Sequence, residues 1–296
     1  MADQVLLCAL GLAYHPTLAF LSARPDFESF AAWIVAEAGP PDPVAIERYH
    51  HWLDGKAPPA AAAERLKAVE DAPAALAAAD LEQWEREGYV VLRNAIDREE
   101  AEAAAELLWR HLGATADDPE SWYVDGARKI WTPVYHGAAL DVARRSPRVL
   151  KAFAQLWGTA DLWMIIDQMG FNPPERPGVT FQGSGLHWDV SLARPIPFGT
   201  QAMLYLTSTA ADEGALRLVP RFHHRIADWL DAPWNTSPRE VPLDAEAVAI
   251  PGEPGDLAIW RHDLPHGASP NRGVRPRVTQ YLNMFSPAVT PHEKWY

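Results

Sequence analysis

One cysteine in 296 residues, Cys8, leaves the chain without an internal disulfide framework and without a metal site built on several thiolates. Positive charge is also scarce: 26 Lys and Arg stand against 39 Asp and Glu, a net charge of −13. Phosphate backbones and anionic membrane surfaces are gripped by clustered Lys and Arg, so neither nucleic acid nor a membrane is expected as a main partner. No run approaches the roughly 20 apolar residues of a membrane span. Met1 to Leu10 lacks the basic start of a secretion signal, carries Asp3 and runs into His15 and Pro16. It reads as the first helix or strand of a cytoplasmic protein.

What is present is a 48% apolar composition, enough for a sizeable core, with 13 Trp and 27 Pro. The first eighty residues are rich in Ala, Glu and Leu, and segments 26–37, 44–53, 60–70 and 73–87 predict three or four short helices. Tyr49-His50-His51-Trp52 is not read as a metal pair, because adjacent helix residues do not face one another. From Gly88 the character changes. Tyr89 to Arg93 is a β-branched run, followed by helices over Glu99 to Leu112 and Leu140 to Leu156. Beyond residue 160 strands are predicted at Trp163 to Ile166, Gln201 to Thr207, Ala215 to Val219, Asp256 to Trp260 and Arg277 to Phe285. Turn residues separate them, as in Pro173-Pro174, Glu213-Gly214 and Asn271-Arg272-Gly273. This pattern predicts a mainly β sandwich or barrel with flanking helices.

One cluster carries chemistry. In His187-Trp188-Asp189 the first and third residues of a strand face the same way and can reach one point. His266, in Leu264-Pro265-His266-Gly267, is the best third ligand. Two imidazoles and one carboxylate leave open positions on the metal, the donor set of non-haem Fe(II) oxygenases. His262, four residues earlier, is the rival; His223 and His224 read as structural or rim residues. Arg277, eleven residues past His266, can grip a carboxylate through two N–H groups. Arg275 has the same strand parity, and only the spacing prefers Arg277.

With these residues in view, the chain resembles the phytanoyl-CoA dioxygenase-like family of Fe(II)/2-oxoglutarate oxygenases. The resemblance rests on ordered blocks: Glu87 to Arg93, His187-Trp188-Asp189, Gly214 to His223, Gly255 to Trp260, then His266-Gly267 and Asn271-Arg272, spanning about residues 80 to 286. It implies a double-stranded β-helix (jelly roll, cupin-like) over 81–296, with residues 1–80 as a helical extension packed on it. It implies His187, Asp189 and His266 as Fe(II) ligands and Arg277 as the anchor of the distal carboxylate of 2-oxoglutarate, with O2 as the oxidant. The family's hydroxyl two residues after the second His is replaced by Ala268, which leaves Ser269 and Gln182 as candidate co-substrate contacts. Related halogenases lack the carboxylate held here by Asp189, so halogenation is not expected. The implied reaction hydroxylates an unactivated C–H bond of a small-molecule metabolite and releases succinate and CO2.

The same first shell also serves desaturation, epimerisation or cyclisation. A metal-binding jelly roll without oxidation, such as an isomerase, is a further alternative, which Arg277 disfavours. Candidate substrate residues are Arg128, Lys129, Trp131, Tyr135, Gln168 and Asn172, with Trp122 and Tyr123 in the same aromatic stretch. The N-terminal extension is expected to cap the barrel, form a homodimer contact or shape the pocket.

Overall fold

The computed structural model describes every residue except 124–129, 182, 234–235, 291 and 293–296. Six helices precede the first strand: α1 (Ala2–Leu10), α2 (Tyr14–Ser22), α3 (Phe27–Ala38), α4 (Pro43–Leu53), α5 (Ala60–Asp71) and α6 (Ala78–Glu87). The last four match the predicted segments, α1 takes the helical alternative for the first ten residues, and α2 is additional. α3 and α4 begin where the Asp26 and Asp42 carboxylates accept the backbone N–H of Ser29 (2.8 Å) and Val44 (3.0 Å). α6 stops at Gly88, whose φ of 80° is left-handed. A Cβ there would lie 2.6 Å from His223 Nδ1, so the turn requires glycine.

After β1 (Tyr89–Leu92) and α7 (Arg98–Leu112), the single helix predicted over 140–156 is two, α8 (Ala138–Arg145) and α9 (Pro147–Trp157). Pro147 disfavours helical backbone at Ser146, which is extended at φ −58°, ψ 121°, and the Ser146 hydroxyl accepts the Val149 N–H at 3.4 Å. The remaining strands are β2 (Trp131–Thr132), β3 (Trp163–Asn172), β4 (Thr200–Tyr205), β5 (Leu216–Leu218), β6 (Val248–Ile250), β7 (Leu257–Arg261), β8 (His266–Ala268) and β9 (Arg277–Phe285), with α10 (Ile226–Asp231) between β5 and β6. Helices occupy more of the described chain than strands do. The fold is therefore mixed rather than mainly β, because the first 160 residues contribute almost only helix.

All strand pairs are antiparallel. A six-stranded sheet runs β1-β7-β4-β9-β3-β2 and a three-stranded sheet runs β6-β5-β8. An isolated bridge between His187 and His266 adds the His187 segment beside β8. From β3 onward the chain passes back and forth between the sheets, which makes a jelly-roll-like core.

Parity along the strands sorts the two cores. Val278, Leu282 and Met284 of β9 join Ala202, Leu204, Leu257 and Ile259 against the helices, with Leu108, Leu140 and Phe153 from the helical side. The alternate residues Met203, Tyr205, Ala258 and Trp260 pack with Leu216, Leu218 and Phe222 between the sheets. Arg277, Thr279, Tyr281 and Asn283 share the inner parity of β9.

The N-terminal helices reach the outer end of β3. Val5, Ala9 and Tyr49 pack with Trp163. Arg48 lies 4.0 Å from the Trp163 ring centroid, ion-pairs with Asp161 at 2.6 Å and donates to the Leu162 carbonyl at 2.9 Å. Ala13 bridges in parallel to Ile166, which brings the start of α2 to the mouth of the sheet. Tyr49 packs on Trp52, and His51 Nδ1 contacts the Ala57 carbonyl at 2.8 Å, so that aromatic stretch is structural. Among the described residues no helix is long and apolar enough to cross a membrane.

Candidate metal centre

His187, Asp189 and His266 converge. One ligand atom from each lies within 4.8 Å of the others. The Asp189 carboxylate is 3.4 Å from His187 Nε2 and 3.2 Å from His266 Nε2, and the imidazole centroids are 4.7 Å apart. The sequence placed His187 and Asp189 on a strand. In the structure only His187 is bridged, and Asp189 follows in a bend that still turns it to the same point. The approach of the two segments depends on Gly267, because a Cβ there would sit 2.7 Å from the Gly185 carbonyl oxygen.

The outer nitrogens decide what the inner ones can do. His187 Nδ1 lies 2.8 Å from the Gly185 carbonyl and 3.2 Å from Ser184 Oγ, and His266 Nδ1 lies 3.1 Å from the Leu264 carbonyl. A carbonyl accepts only, so in the neutral rings Nδ1 carries the proton and each Nε2 presents a lone pair. Two lone pairs facing a carboxylate repel one another, and a cation between them turns that repulsion into coordination. Without a metal the other relief is protonation of the rings: burial works to raise the Asp189 carboxyl, but Nε2–H groups of the two imidazoles outweigh it and hold the group well below the usual range. Burial lowers His187, yet the Asp189 carboxylate and the Gly185 carbonyl raise it on balance.

Gln201 donates to Asp189 Oδ2 at 2.7 Å. Arg239 donates to the carbonyls of Trp188 (2.9 Å) and Val190 (2.6 Å), bracketing the ligand. Trp188 points away, packs at a tilt against Phe222 and Trp229, and donates to the Asp263 carbonyl at 3.1 Å. Removing an outer partner of a metal ligand costs about 10–100-fold in affinity. Gln201→Leu is therefore expected to weaken Fe(II) or Co(II) binding by about tenfold or more in a calorimetric titration, with the melting temperature of the metal-free protein unchanged.

A cavity of about 430 Å3 opens on this cluster and is also lined by Arg277. Arg277 is 1% exposed; its Nη1 donates to the Gly214 carbonyl at 2.8 Å, while Nε and Nη2 are buried without a partner. A buried guanidinium with unmet donors calls for an anion, and a carboxylate matches a two-N–H fork. Arg275 and Arg272 are exposed and line no part of this cavity. Gly214, at φ 80°, packs where a Cβ would meet the Asn172 amide at 2.3 Å, so the carbonyl that holds Arg277 depends on that glycine.

Trp131 and Gln168 line the cavity, and the Tyr135 hydroxyl donates to Gln168 Oε1 at 3.1 Å. Asn172 does not line it: its amide donates to the Ser269 carbonyl at 3.0 Å. Ser269 does not line it either, since its hydroxyl donates to the Ala215 carbonyl at 3.1 Å; Ala268 lines the wall instead. Arg128, Lys129 and Gln182 lie outside the described residues. His262 lines the cavity but its Nε2 is 2.6 Å from the Pro197 carbonyl. His223 and His224 contact the carbonyls of Glu85 and Arg86, both at 3.1 Å, and hold the end of α6.

The model of the phytanoyl-CoA dioxygenase family matches residues 84–279. The chain belongs to that family. Its members are Fe(II)/2-oxoglutarate-dependent oxygenases, and the His-Asp-His cluster and Arg277 both fall within the matched residues. The solved structure of EvdO2 from Micromonospora carbonacea var. aurantiaca, complexed with 2-oxoglutarate, is 18% identical with a TM-score of 0.55, covering 75% of this chain and 95% of that one. The carbocyclase SnoK from nogalamycin biosynthesis is 17% identical with a TM-score of 0.53, over 76% and 88% of the two chains. At these identities the likeness concerns the fold. Among curated proteins, Ava biosynthesis cluster protein O of Aspergillus versicolor is 28% identical over 109 residues, so the match spans 33% of this chain and about a third, 35%, of that relative.

Gln201 escaped the sequence reading, and so did two cavity residues that can carry charge, His15 and Asp167. His15 precedes the family-matched segment and lies two residues past the Ala13–Ile166 bridge that brings this stretch to the cavity. Asp167 lies in β3, where an alternation-based reading gives it no special place.

Proposed function

We propose that the chain is a non-haem Fe(II)/2-oxoglutarate dioxygenase that hydroxylates an unactivated C–H bond of a small-molecule metabolite. One observation carries this reading. A buried guanidinium with two unmet donors opens on the same cavity as two imidazole lone pairs and a carboxylate. A metal-binding jelly roll without oxidation has no use for that cation.

His187 Nε2, His266 Nε2 and the Asp189 carboxylate would hold Fe(II), and Arg277 Nε and Nη2 would hold the distal carboxylate of 2-oxoglutarate. With O2, that pair supplies oxidation of a C–H bond with release of succinate and CO2. The chain's own part is positioning. The Gly185 and Leu264 carbonyls fix the imidazole tautomers, Gln201 orients Asp189, and the Gly214 carbonyl aims the guanidinium. Residues 1–80 would act as a helical cover on the oxygenase domain at 81–296, with His15 as its contribution to the cavity.

Calorimetric titration of 2-oxoglutarate under anaerobic conditions tests the pairing. Micromolar binding that requires a divalent metal is expected; equal affinity with and without metal would contradict it. The same residues would serve desaturation, epimerisation or cyclisation. Product mass separates these, since hydroxylation adds one oxygen atom and the others do not.

A further inference from the structure

The pairing of β3 with β9 shifts register between Ile166 and Met169. Met169 and Phe171 pack into the core on the helix side. Ile165 lines the cavity, and Asp167, two residues on, keeps that parity and faces it too. The irregularity then adds Gln168 to the same wall before Met169 returns to the core, so both side chains lie on the cavity together with the metal cluster. Bulges beside active sites commonly re-aim a side chain in this way.

Asp167 is poorly partnered for a carboxylate in that position. Its Oδ1 accepts the Gln168 N–H at 2.7 Å, and no other hydrogen bond to the carboxylate is present among the described residues. The buried Arg144 donates to the backbone carbonyl of Asp167 at 3.1 Å but gives its ion pair to Asp141 at 3.2 Å. His15 stands on the same wall, carried there by the N-terminal segment. Burial raises the Asp167 carboxyl and the Asp189 charge adds to this, while the Gln168 N–H, His15 and Arg144 only partly offset it. In a loaded site a divalent metal is offset by a dicarboxylate co-substrate, and Asp189 by Arg277. Asp167 is then the acidic charge left on the cavity wall among the described residues. A carboxylate held away from water with one hydrogen bond calls for a cation.

We propose that Asp167 is the recognition group for an ammonium on the substrate, with His15 of the N-terminal segment closing that part of the cavity. The proposal rests on the oxygenase reading of the site. It names the substrate class as an amine-bearing metabolite, positioned by one charge-assisted contact.

Three probes of one length test it: n-pentylamine, 1-pentanol and pentanoate, titrated calorimetrically into the protein loaded with Ni(II) and 2-oxoglutarate. The amine is expected to bind about tenfold or more tighter than the alcohol, with pentanoate weakest. In Asp167→Asn that preference disappears while the affinity for 2-oxoglutarate stays within about twofold; Asp167→Glu retains part of it. His15→Ala weakens all three probes alike. Equal binding of amine and alcohol by the wild type, or a preference that survives in Asp167→Asn, would overturn the assignment. A wild-type protein that takes up neither Ni(II) nor 2-oxoglutarate would overturn the oxygenase reading itself, a result read in the loading step before any probe is added.

Discussion

Asp189→Ala is expected to lower Fe(II) or Co(II) affinity by more than about 100-fold, because it removes the anionic ligand rather than an outer partner, whose loss alone costs about 10–100-fold. The two remaining imidazoles keep their carbonyl contacts but have no charge to hold a hard cation against water. The fold is expected to tolerate the change, since the Asp189 side chain is 54% exposed and its partners are the two imidazoles and Gln201. Melting temperature without metal should therefore stay close to wild type, while the stabilisation that metal gives the wild type disappears. Calorimetric titration with Co(II), beside thermal melts with and without metal, reads both. An affinity within about threefold of wild type would show that the cluster is not the metal site.

The second large effect concerns Arg277. Arg277→Lys keeps the charge but replaces the fork by a point donor, and the loss of one charge-assisted bond is worth about 1.5–3 kcal/mol. A rise of about 100-fold in the dissociation constant for 2-oxoglutarate is expected, with Co(II) affinity unchanged. Arg277→Met separates binding from folding. It removes a buried cation two of whose donors are unpartnered, so the metal-free protein should be as stable as wild type or more so, while 2-oxoglutarate binding is lost. A variant that binds 2-oxoglutarate normally would move the co-substrate site away from this residue. Arg275→Lys serves as the control, since Arg275 is exposed.

Much of the site was legible because its residues lie on short, regular segments. The separation of His187 from Asp189 by a single residue survives even though the segment is bridged at one position only. Parity could not separate Arg277 from Arg275. What separates them is depth: β9 begins at Arg277, pairing with Asn172, while Arg275 precedes the strand and remains outside. Ser269 and Asn172 offered the right side chains for ligand contacts, but backbone carbonyls claim both, a competition no pattern of side chains reveals. Ser146-Pro147 marks the split of the helix at 146, but the apolar repeat continues on either side of it and masks the break. Asp167 was hidden for a different reason. The predicted strand ends at Ile166, one residue short of it, and the cavity it faces is completed by β9, far along the chain. His15 depends likewise on a contact between residues 13 and 166.

The most direct test of the oxygenase reading needs no knowledge of the substrate. Purified protein is mixed with Fe(II), 2-oxoglutarate and O2, and succinate is measured over time beside His187→Ala and Arg277→Lys. Slow succinate formation that requires Fe(II), and that falls to background in His187→Ala and by about 100-fold in Arg277→Lys at sub-saturating 2-oxoglutarate, is the predicted result. No Fe(II)-dependent succinate from the wild type, or equal rates in all three proteins, would contradict it.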